Sequence, residues 1–599
     1  MADASEKITS DSSGTSHREG PMFHDIPNDD PHIAAFENNN QAANVSRSTL
    51  FSVFFLGLAF TAPVSCGFIL VSGIQTQIGT RLGDMTNLVW IAGSWSVASS
   101  VSFSMAGSLS DIFGRRWVVL SGNLITIIGA IIGATADTVK IIVAGSTFIG
   151  FGAGIIFVAY AGIPEMLPNK YRGIGLGWTE LCITIPWSTF SVLIGNQLVE
   201  KATWKWCYYI ALMYAVISTI GIYAFYYPPS RPRNDYSKTR WQEFKELDFI
   251  GNFLYATGLP VMLIGFTWAG TSDHPWDSVS VIAPIIIGVA LFGACFAYDF
   301  TIAKNPLFPL PLFAKVREFT ILLVVVFVSG MIFTGMTALL PQATLWIFTN
   351  DSTEIGLIAL PNGFGSLIGG WLIPSLMHKI KHLRWQVITA LVVQTLANAL
   401  YVTVIPDSKA GWMILQFFGQ GCFTYLTTLC YVISSLHVPH KDLGLASGLI
   451  GTFRSGGGSI GNAILSTILT GIINRRLGRQ IVAAALGLGF NSEGLEALVP
   501  AVIQNALGVP GAFDAVPGIT PAVEEATAHA LKEAYAYAFK RVFYATIPFG
   551  VIATICAWFI KDPSQYLTNH VSVHMEKEVL GGVKEEHVEN ATSEEAIHK

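Results

Sequence analysis

Two ionisable residues lie inside long apolar runs, where a charged side chain is energetically expensive. Glu180 lies within the run from Ile174 to Val199. Arg454 lies within the run from Leu443 to Ile473. An Arg at the centre of a membrane helix costs roughly 2.5–3.5 kcal/mol on insertion scales, so intramembrane charges are functional candidates by default. Both residues are therefore candidate functional residues.

Arg454 has two possible chemical roles, and both residues also have structural interpretations. Arg454 either binds an anion or holds Glu180 deprotonated. In the structural alternative, Glu180 pairs with a basic residue near the helix end, such as Arg172, and Arg454 forms an ion pair between two halves of the chain. The sequence alone leaves these alternatives open.

A second candidate cluster follows the second apolar run. It reads Gly107-Ser-Leu-Ser-Asp111-Ile-Phe-Gly114-Arg115-Arg116. Glycine near a helix end permits close packing, and an Asp there accepts backbone N–H groups or pairs with Arg. A charged network of this kind can stabilise one conformation of the protein and break when the protein adopts another. A plain basic loop with an Asp cap is the alternative.

Composition determines the class of protein that must position these residues. Of 599 residues, 51% are hydrophobic and 13% are charged, with a mean hydropathy of +0.51. Soluble proteins are about 25% charged, so there are too few charges to cover soluble domains of this size. The net charge of −5 and the lack of a basic block argue against a nucleic-acid binder. The composition indicates an all-α, polytopic membrane protein.

Fourteen apolar runs are long enough to cross a bilayer, which takes about 20 residues. They are grouped as six, two and six, which suggests an internal duplication with a two-helix insert. The predicted organisation is a disordered cytosolic tail over 1–49, a six-helix bundle over 50–228, a cytoplasmic loop with two linking helices over 229–319, a second six-helix bundle over 320–560 that includes a long outer loop over 474–540, and a cytosolic tail over 561–599. Within the outer loop, the short apolar stretch Leu495 to Leu507 predicts a helix on the outer face.

The distribution of basic residues supports this topology. Lys and Arg collect in short cytoplasmic loops. With the N-terminus inside, sixteen of them fall in inner loops. Five fall in the short outer loops, namely Arg81, Lys140, Lys201, Lys205 and Lys409. We therefore expect fourteen spans with both termini cytosolic.

The acidic residues Glu165, Asp248 and Asp299 lie near helix ends, and for them we expect a solvated or network role. All seven cysteines lie in apolar runs without a CxxC pair, so we interpret them as buried small hydrophobes. No disulfide, metal site or cofactor is expected. No Walker motif is present, which argues against ATP-driven pumping.

The motif from Gly107 to Arg116 resembles the signature loop of the major facilitator superfamily. With fourteen helices, the chain resembles the drug:proton antiporter branch. It is most similar to the fungal trichothecene efflux pump family, over roughly residues 45 to 575. The supporting segments begin at Pro164-Glu165, Arg454-Ser-Gly456-Gly457, Ala534-Tyr535 and Tyr566-Leu-Thr568.

One departure from the antiporter pattern bears on proton coupling. Many such antiporters carry an Arg in the fourth helix, but Ser146 stands at that position and Ile149 stands where a Gln would be. Proton coupling through that Arg is therefore unavailable, and Glu180 is the first candidate. Gly177, Pro186 and Gly195 in the fifth run still suit a kinked, closely packed helix.

The resemblance also predicts which side chains line the substrate path. Aromatic and amide side chains suit a bulky, uncharged, oxygenated molecule, although each of them has ordinary packing as its alternative. The candidates are Phe157, Tyr160, Trp178, Trp187, Gln416, Phe417, Gln420 and Tyr425.

The resemblance implies a proton-coupled secondary transporter that exports a hydrophobic secondary metabolite, mycotoxin or drug by alternating access. The alternative within the superfamily is a siderophore-iron importer. A receptor or membrane-embedded enzyme is disfavoured because no nucleophile motif or metal-ligand pair is visible. The expected partners are a small-molecule substrate, protons and the lipid bilayer, with no nucleic acid. We expect a monomer in the plasma membrane.

Overall fold

The computed structural model describes residues 46–84, 87–228, 239–269, 275–303, 306–439, 442–490, 494–509, 511–514 and 516–568. The tails predicted over 1–49 and 561–599 lie outside the described residues, except for 46–49 and 561–568. Residues 229–238 of the predicted cytoplasmic loop also lie outside them. The described part consists of helices and connections, with no strand.

Fourteen long helices, numbered α1 to α14 in chain order, dominate the described residues. Their bounds are Arg47–Gly73, Val89–Phe113, Arg115–Ala134, Val139–Met166, Asn169–Lys201, Trp206–Phe225, Phe249–Trp268, Val279–Thr301, Val316–Ile347, Thr353–Ile380, Leu383–Val404, Lys409–His437, Leu443–Gly487 and Pro521–Ala557.

Twelve of these helices are long and apolar enough to cross a membrane, which confirms the polytopic helical class. The other two are α2, with 25 residues, and α12, with 29. Both are rich in small polar side chains, and α2 carries eight serines. Several of these hydroxyls donate to carbonyls of their own helix, as Ser102 does to Ser99 O at 3.1 Å. The count of fourteen spans therefore stays a prediction.

The helices pack as two bundles joined by a helical pair. In the first, α3 packs on α4 and α6, and α2 packs on α4. In the second, α13 packs on α9 and α14, and α12 packs on α10 and α11. The linking helices α7 and α8 pack on each other, and α7 also contacts α2 and α13. The two bundles meet mainly along α2 with α13 and along α5 with α10.

Helix α5 is interrupted where the sequence predicted a kink. The backbone leaves the helical region at Ile185, with φ −110° and ψ 133°, next to Pro186. Proline lacks the N–H that would continue the helical ladder. The break separates the half of α5 that carries Glu180 from the half that ends at Lys201.

Glycines seven residues apart form the face of α10 that touches α5. A Cβ on Gly356 would stand 3.2 Å from Leu193 Cα, and one on Gly370 would stand 2.8 Å from Glu180 Cβ. A Cβ on Gly363 would collide with the Thr189 backbone. Small residues let membrane helices approach closely, so this spacing lets the two bundles touch along one line.

The connection between α13 and α14 is shorter than the predicted outer loop over 474–540. Helix α13 continues to Gly487 and α14 already begins at Pro521. A short helix, Leu495–Ala506, lies between them as expected. Arg475, Arg476 and Arg479 end the apolar run, but Leu477, Ile481 and Ala485 remain buried and continue the packed face. The helix therefore extends past the point where hydropathy falls.

We expect Gly363→Ala to lower the melting temperature of the detergent-purified protein, because the added methyl group forces α5 and α10 apart. Gly293→Ala is the matched control, since a Cβ there meets nothing within 4 Å. Alanine is favoured over glycine in a helix by about 1 kcal/mol, so the control is expected to melt at the same or a higher temperature. Equal stabilisation by both substitutions would contradict the close packing of α5 on α10.

Candidate functional site

Glu180 lies buried where the two bundles meet. Its side chain is 5% exposed, and Tyr160 on α4 donates its hydroxyl to Glu180 Oε1 at 2.5 Å. On the other side, Gly370 of α10 leaves room for the Glu180 stem. A buried carboxylate needs such a donor, because burying a charge without hydrogen bonds is very costly.

Arg454 approaches the same place from the second bundle. Its guanidinium lies over the ring of Phe157 on α4, 4.9 Å from the centroid, and 5.9 Å from the centroid of Phe423 on α12. Aromatic faces attract cations. Arg454 also attracts Glu180 electrostatically. The structure thus places the two ionisable candidates in one cluster, with one contributed by each half of the chain.

Tyr431 belongs to this central cluster, although the sequence analysis did not select it. Its ring centroid lies 4.6 Å from that of Tyr160, and its side chain is 2% exposed. Its hydroxyl has no hydrogen-bond partner among the described groups. Tyr431 follows Gln420 by eleven residues, which is three helical turns. Continuing the selected face of α12 toward its end would have identified it.

The amide candidates lie on α12, on the side that faces α10. Gln416 donates to Ile358 O of α10 at 3.4 Å. Gln420 is 3% exposed, and its Oε1 has no hydrogen-bond partner among the described groups. Phe417 lies beside Phe418, with ring centroids 5.3 Å apart, and its carbonyl packs on Gly365. Gln420 therefore keeps an unused acceptor on this side of α12.

Three other substrate candidates are placed between helices of a single bundle. Trp178 stacks on Phe54 of α1 and donates to its carbonyl at 3.3 Å. Trp187 packs edge-on against Tyr214 of α6, with centroids 6.1 Å apart. The third, Tyr425, donates its hydroxyl to a glutamine of α11, Gln386. Contacts of this kind favour the packing alternative for all three residues. Sequence periodicity alone cannot distinguish a ring that lines the path from a ring between neighbouring helices.

The predicted switch loop lies against the second bundle. A Cβ on Gly107 would stand 2.6 Å from Gly444 O, and one on Gly444 would stand 2.5 Å from Asp111 Oδ1. The Asp111 carboxylate therefore lies beside the first turn of α13, where free N–H groups and the helix dipole favour a negative charge. Gly114 alone connects α2 to α3, with φ +86°, a conformation that favours glycine.

The two arginines of the loop have different partners. Arg115 is buried and forms an ion pair with Glu165 of α4. Arg116 lies over the ring of Tyr227 at 3.8 Å and donates to Tyr223 O at 2.8 Å. Glu165 was expected to be solvated or part of a network, and its pairing supports the network interpretation.

Arg172 does not bond Glu180, contrary to the structural alternative weighed for that pair. Its guanidinium donates to Ser435 O at 2.8 Å and to Ser435 Oγ at 3.1 Å. Ser435 is on α12, so this bond joins the first bundle to the second. Arg172 also interacts electrostatically with Glu165.

The segment after α14, residues 561–568, is called the terminal segment here. Lys561 N–H donates to Arg317 O at 2.9 Å, and its ammonium donates to Glu318 Oε1 at 2.7 Å. The Glu318 carboxylate raises the pKa of Lys561. Leu383 N–H donates to Ser564 Oγ at 2.9 Å. The terminal segment is thus tied to the starts of α9 and α11.

Its last residues cross to the first bundle. Lys170 N–H donates to Thr568 O at 3.0 Å, and Asn169 Nδ2 donates to Tyr566 O at 3.2 Å. We call this end of the molecule, with Gly114, Asn169 and the terminal segment, the terminal face. At this face the two bundles are closed against each other by contacts at α13, Ser435 and the terminal segment.

Comparison with known families identifies the chain. The family model for the fungal trichothecene efflux pump (TRI12) matches residues 51–595. The chain belongs to this family. The resemblance proposed from the sequence motifs is thereby confirmed, and the protein is a helical membrane transporter of the major facilitator type.

Individual relatives are distant but cover most of the chain. The MFS-type transporter prx5 of Penicillium rubens is 27% identical over 526 residues, covering 85% of this chain and 92% of the relative. The trichothecene efflux pump TRI12 of Fusarium sporotrichioides is 26% identical over 498 residues, covering 82% of each. Among solved structures, the chain is similar to the human organic anion transporter MFSD10 (TETRAN), with 15% identity and a TM-score of 0.48 over 71% of this chain and 93% of that chain.

Removing the terminal segment is expected to destabilise the contact between the bundles at the terminal face. A chain truncated after Asp562 loses the hydrogen bonds of Ser564, Tyr566 and Thr568, and we expect a lower melting temperature in detergent. A chain truncated after Thr568 keeps these bonds and is expected to melt like the full-length protein. Identical melting of the two truncated chains would show that the terminal segment does not join the bundles.

Proposed function

We propose that this protein exports a hydrophobic secondary metabolite by proton-coupled alternating access, with the terminal face toward the cytosol. The observation that carries the proposal is the buried Glu180, held between Tyr160 of the first bundle and the positive charge of Arg454 in the second. Membership of a family named for efflux pumps supports export. The names of two relatives, both trichothecene efflux pumps, favour export over siderophore-iron import.

Protonation of Glu180 would change the contact between the bundles. As a carboxylate, Glu180 accepts from Tyr160 and attracts Arg454, which favours the closed terminal face. Protonation removes the negative charge, so the attraction to Arg454 is lost and opening becomes less costly. A proton taken up from outside would therefore allow return to the inward-open state, where its release accompanies binding of the next substrate. Such a cycle couples proton entry to substrate exit.

The substrate would lie beside the same cluster. Phe157, Tyr160 and Tyr431 present aromatic surface, and Gln420 presents a free amide oxygen. An apolar wall with a few polar groups suits an uncharged, oxygenated ring system. Two of the relatives are named as trichothecene efflux pumps, so trichothecenes are one class of substrate to test. We further propose a monomer in the plasma membrane with both termini cytosolic.

The test is accumulation of a radiolabelled trichothecene in yeast cells that express wild type or Glu180→Gln, with and without a protonophore. We expect lower accumulation with wild type than with empty vector. The protonophore and Glu180→Gln should each restore accumulation, because neither leaves a working proton cycle. Glu354→Gln is the control, since Glu354 is part-exposed and pairs with Lys409 at the other end of the bundle.

Two results would contradict parts of this proposal. Protonophore-sensitive export by Glu180→Gln at the wild-type rate would remove Glu180 from the proton path. In a parallel experiment with a ferric siderophore, higher accumulation in cells that express wild type than in cells with empty vector would show import instead of export.

A further inference from the structure

Two buried carboxyl groups meet at the linking helices, outside the central cluster. Asp248 caps the start of α7, and Asp299 lies in the last turn of α8. Their side chains are 7% and 4% exposed. A Cβ on Gly251 would contact Asp248 Oδ2 and would stand 2.6 Å from Asp299 Oδ1. The two oxygens therefore face each other across this glycine.

Each carboxyl group has one oxygen with a backbone donor and one without. Gly251 N–H donates to Asp248 Oδ1 at 2.6 Å, and Phe308 N–H donates to Asp299 Oδ2 at 2.9 Å. The other oxygens, Asp248 Oδ2 and Asp299 Oδ1, have no donor among the described groups. Yet both of these oxygens lie beside the same point, the position that a Cβ on Gly251 would occupy, so the two carboxyl groups adjoin each other. Ionised carboxylates only accept hydrogen bonds, so a bond between them requires a proton.

Among the residues that the structure describes, the groups that act on Asp299 supply no positive charge. The Cys295 thiol on α8 donates to Gly251 O at 3.4 Å and interacts electrostatically with both carboxyl groups. Helix α2 contributes hydroxyls, with Ser104 donating to Asn252 at 2.8 Å and Ser100 bonded to Tyr255 at 2.8 Å.

The charged residues closest in sequence belong to the short helix Arg240–Lys245 and its end. There Lys245 is exposed, and Glu243 and Glu246 are half-buried. The segment after α8 contributes the backbone N–H of Phe308, and α13 contributes the ring of Phe453 against Phe308, with centroids 6.1 Å apart.

A metal ion fits this pair poorly. Calcium takes six to eight oxygen ligands and magnesium six, whereas the pair has two unused carboxyl oxygens. Within the described ranges, no group of three or more His, Cys, Asp or Glu residues is placed to hold a metal. A single proton satisfies both oxygens, because it makes one carboxyl group the donor and the other the acceptor.

We propose that Asp248 and Asp299 form a proton-binding site that holds one shared proton and joins the two linking helices. The site is separate from Glu180 and does not depend on the direction of transport. It fastens the start of α7 to the end of α8 and, through Phe308, to the segment that leads into α9. Because α7 is bonded to α2 through Ser104 and Ser100, the shared proton also fixes the linking pair on the first bundle.

The sign of the pH effect follows from proton counting. Like charges in contact cannot both remain ionised without cost, so the proposed site gives the folded protein one bound proton. Free Asp titrates near 3.9, so the unfolded chain does not retain it. The folded state thus binds more protons, and stability falls as the pH rises.

The test compares wild type with Asp299→Asn as full-length proteins in detergent, melted between pH 5 and pH 9. An amide donates to Asp248 without needing a proton, so the variant should lose the pH dependence that this site contributes. We expect wild type to lose about 2–4 °C relative to Asp299→Asn over this range. Asp137→Asn, at an exposed position on another loop, is the control and should parallel wild type.

A second measurement counts the proton directly. Unfolding by sodium dodecyl sulfate in weakly buffered solution at pH 7 should release one more proton from wild type than from Asp299→Asn. If that variant does not fold, Asp248→Asn serves in its place, because its amide oxygen can still accept from Gly251. Parallel melting profiles with equal proton release would overturn the proposal. Stabilisation of wild type alone by added Na⁺ or Ca²⁺ would overturn it in favour of a cation site.

Discussion

The arrangement of the two bundles depends on burying one carboxyl group, that of Glu180, at their contact. Burial disfavours a charge on this group, whereas the hydroxyl donor from α4 and the positive charge from α13 favour it, so groups from both halves of the chain act on its charged form. Gly370 has no side chain, and this lets α10 pack against Glu180 without excluding either partner. The protonation state of Glu180 is therefore linked to how closely the bundles approach.

In the proposed mechanism, the terminal face carries the other contacts that change when the bundles separate. Asp111 of α2 lies beside the first turn of α13, Arg172 bonds Ser435 of α12, and the terminal segment bonds Asn169 and Lys170. Each contact joins opposite halves, and each is polar. Such bonds can be exchanged for water when the face opens, whereas a large apolar interface would resist opening. The seven-residue glycine spacing on α10 leaves α5 a smooth surface along the remaining contact.

The sequence predicted the features that follow from the cost of burying charge. Glu180 and Arg454 were selected because a membrane helix tolerates few ionisable groups, and they do lie in one cluster. Tyr431 was missed because the selected face of α12 was not continued to the end of the helix. The sequence could not decide between packing and a place on the path for Trp178, Trp187 and Tyr425, since an aromatic ring in an apolar helix looks the same in both cases.

Other differences arise from packing that hydropathy does not register. Helix α13 extends beyond Ile473 because its buried face continues through the arginines that end the apolar run. Arg172 was weighed as the partner of Glu180, but the fold gives it Ser435 on another helix, a pairing with no signature in the sequence. The meeting of Asp248 with Asp299 likewise depends on how α7 packs on α8, and the sequence between these two residues carries no sign of it.

The central claim is that the charge on Glu180 holds the terminal face closed. It can be tested by spin-label distance measurements between Trp117→Cys on α3 and Trp385→Cys on α11, both exposed residues near this face. We expect the distance distribution of the otherwise wild-type protein to shift to longer values as the pH is lowered. With Glu180→Gln the longer distances should be present at every pH. A pH-dependent shift that persists unchanged in Glu180→Gln would contradict the account.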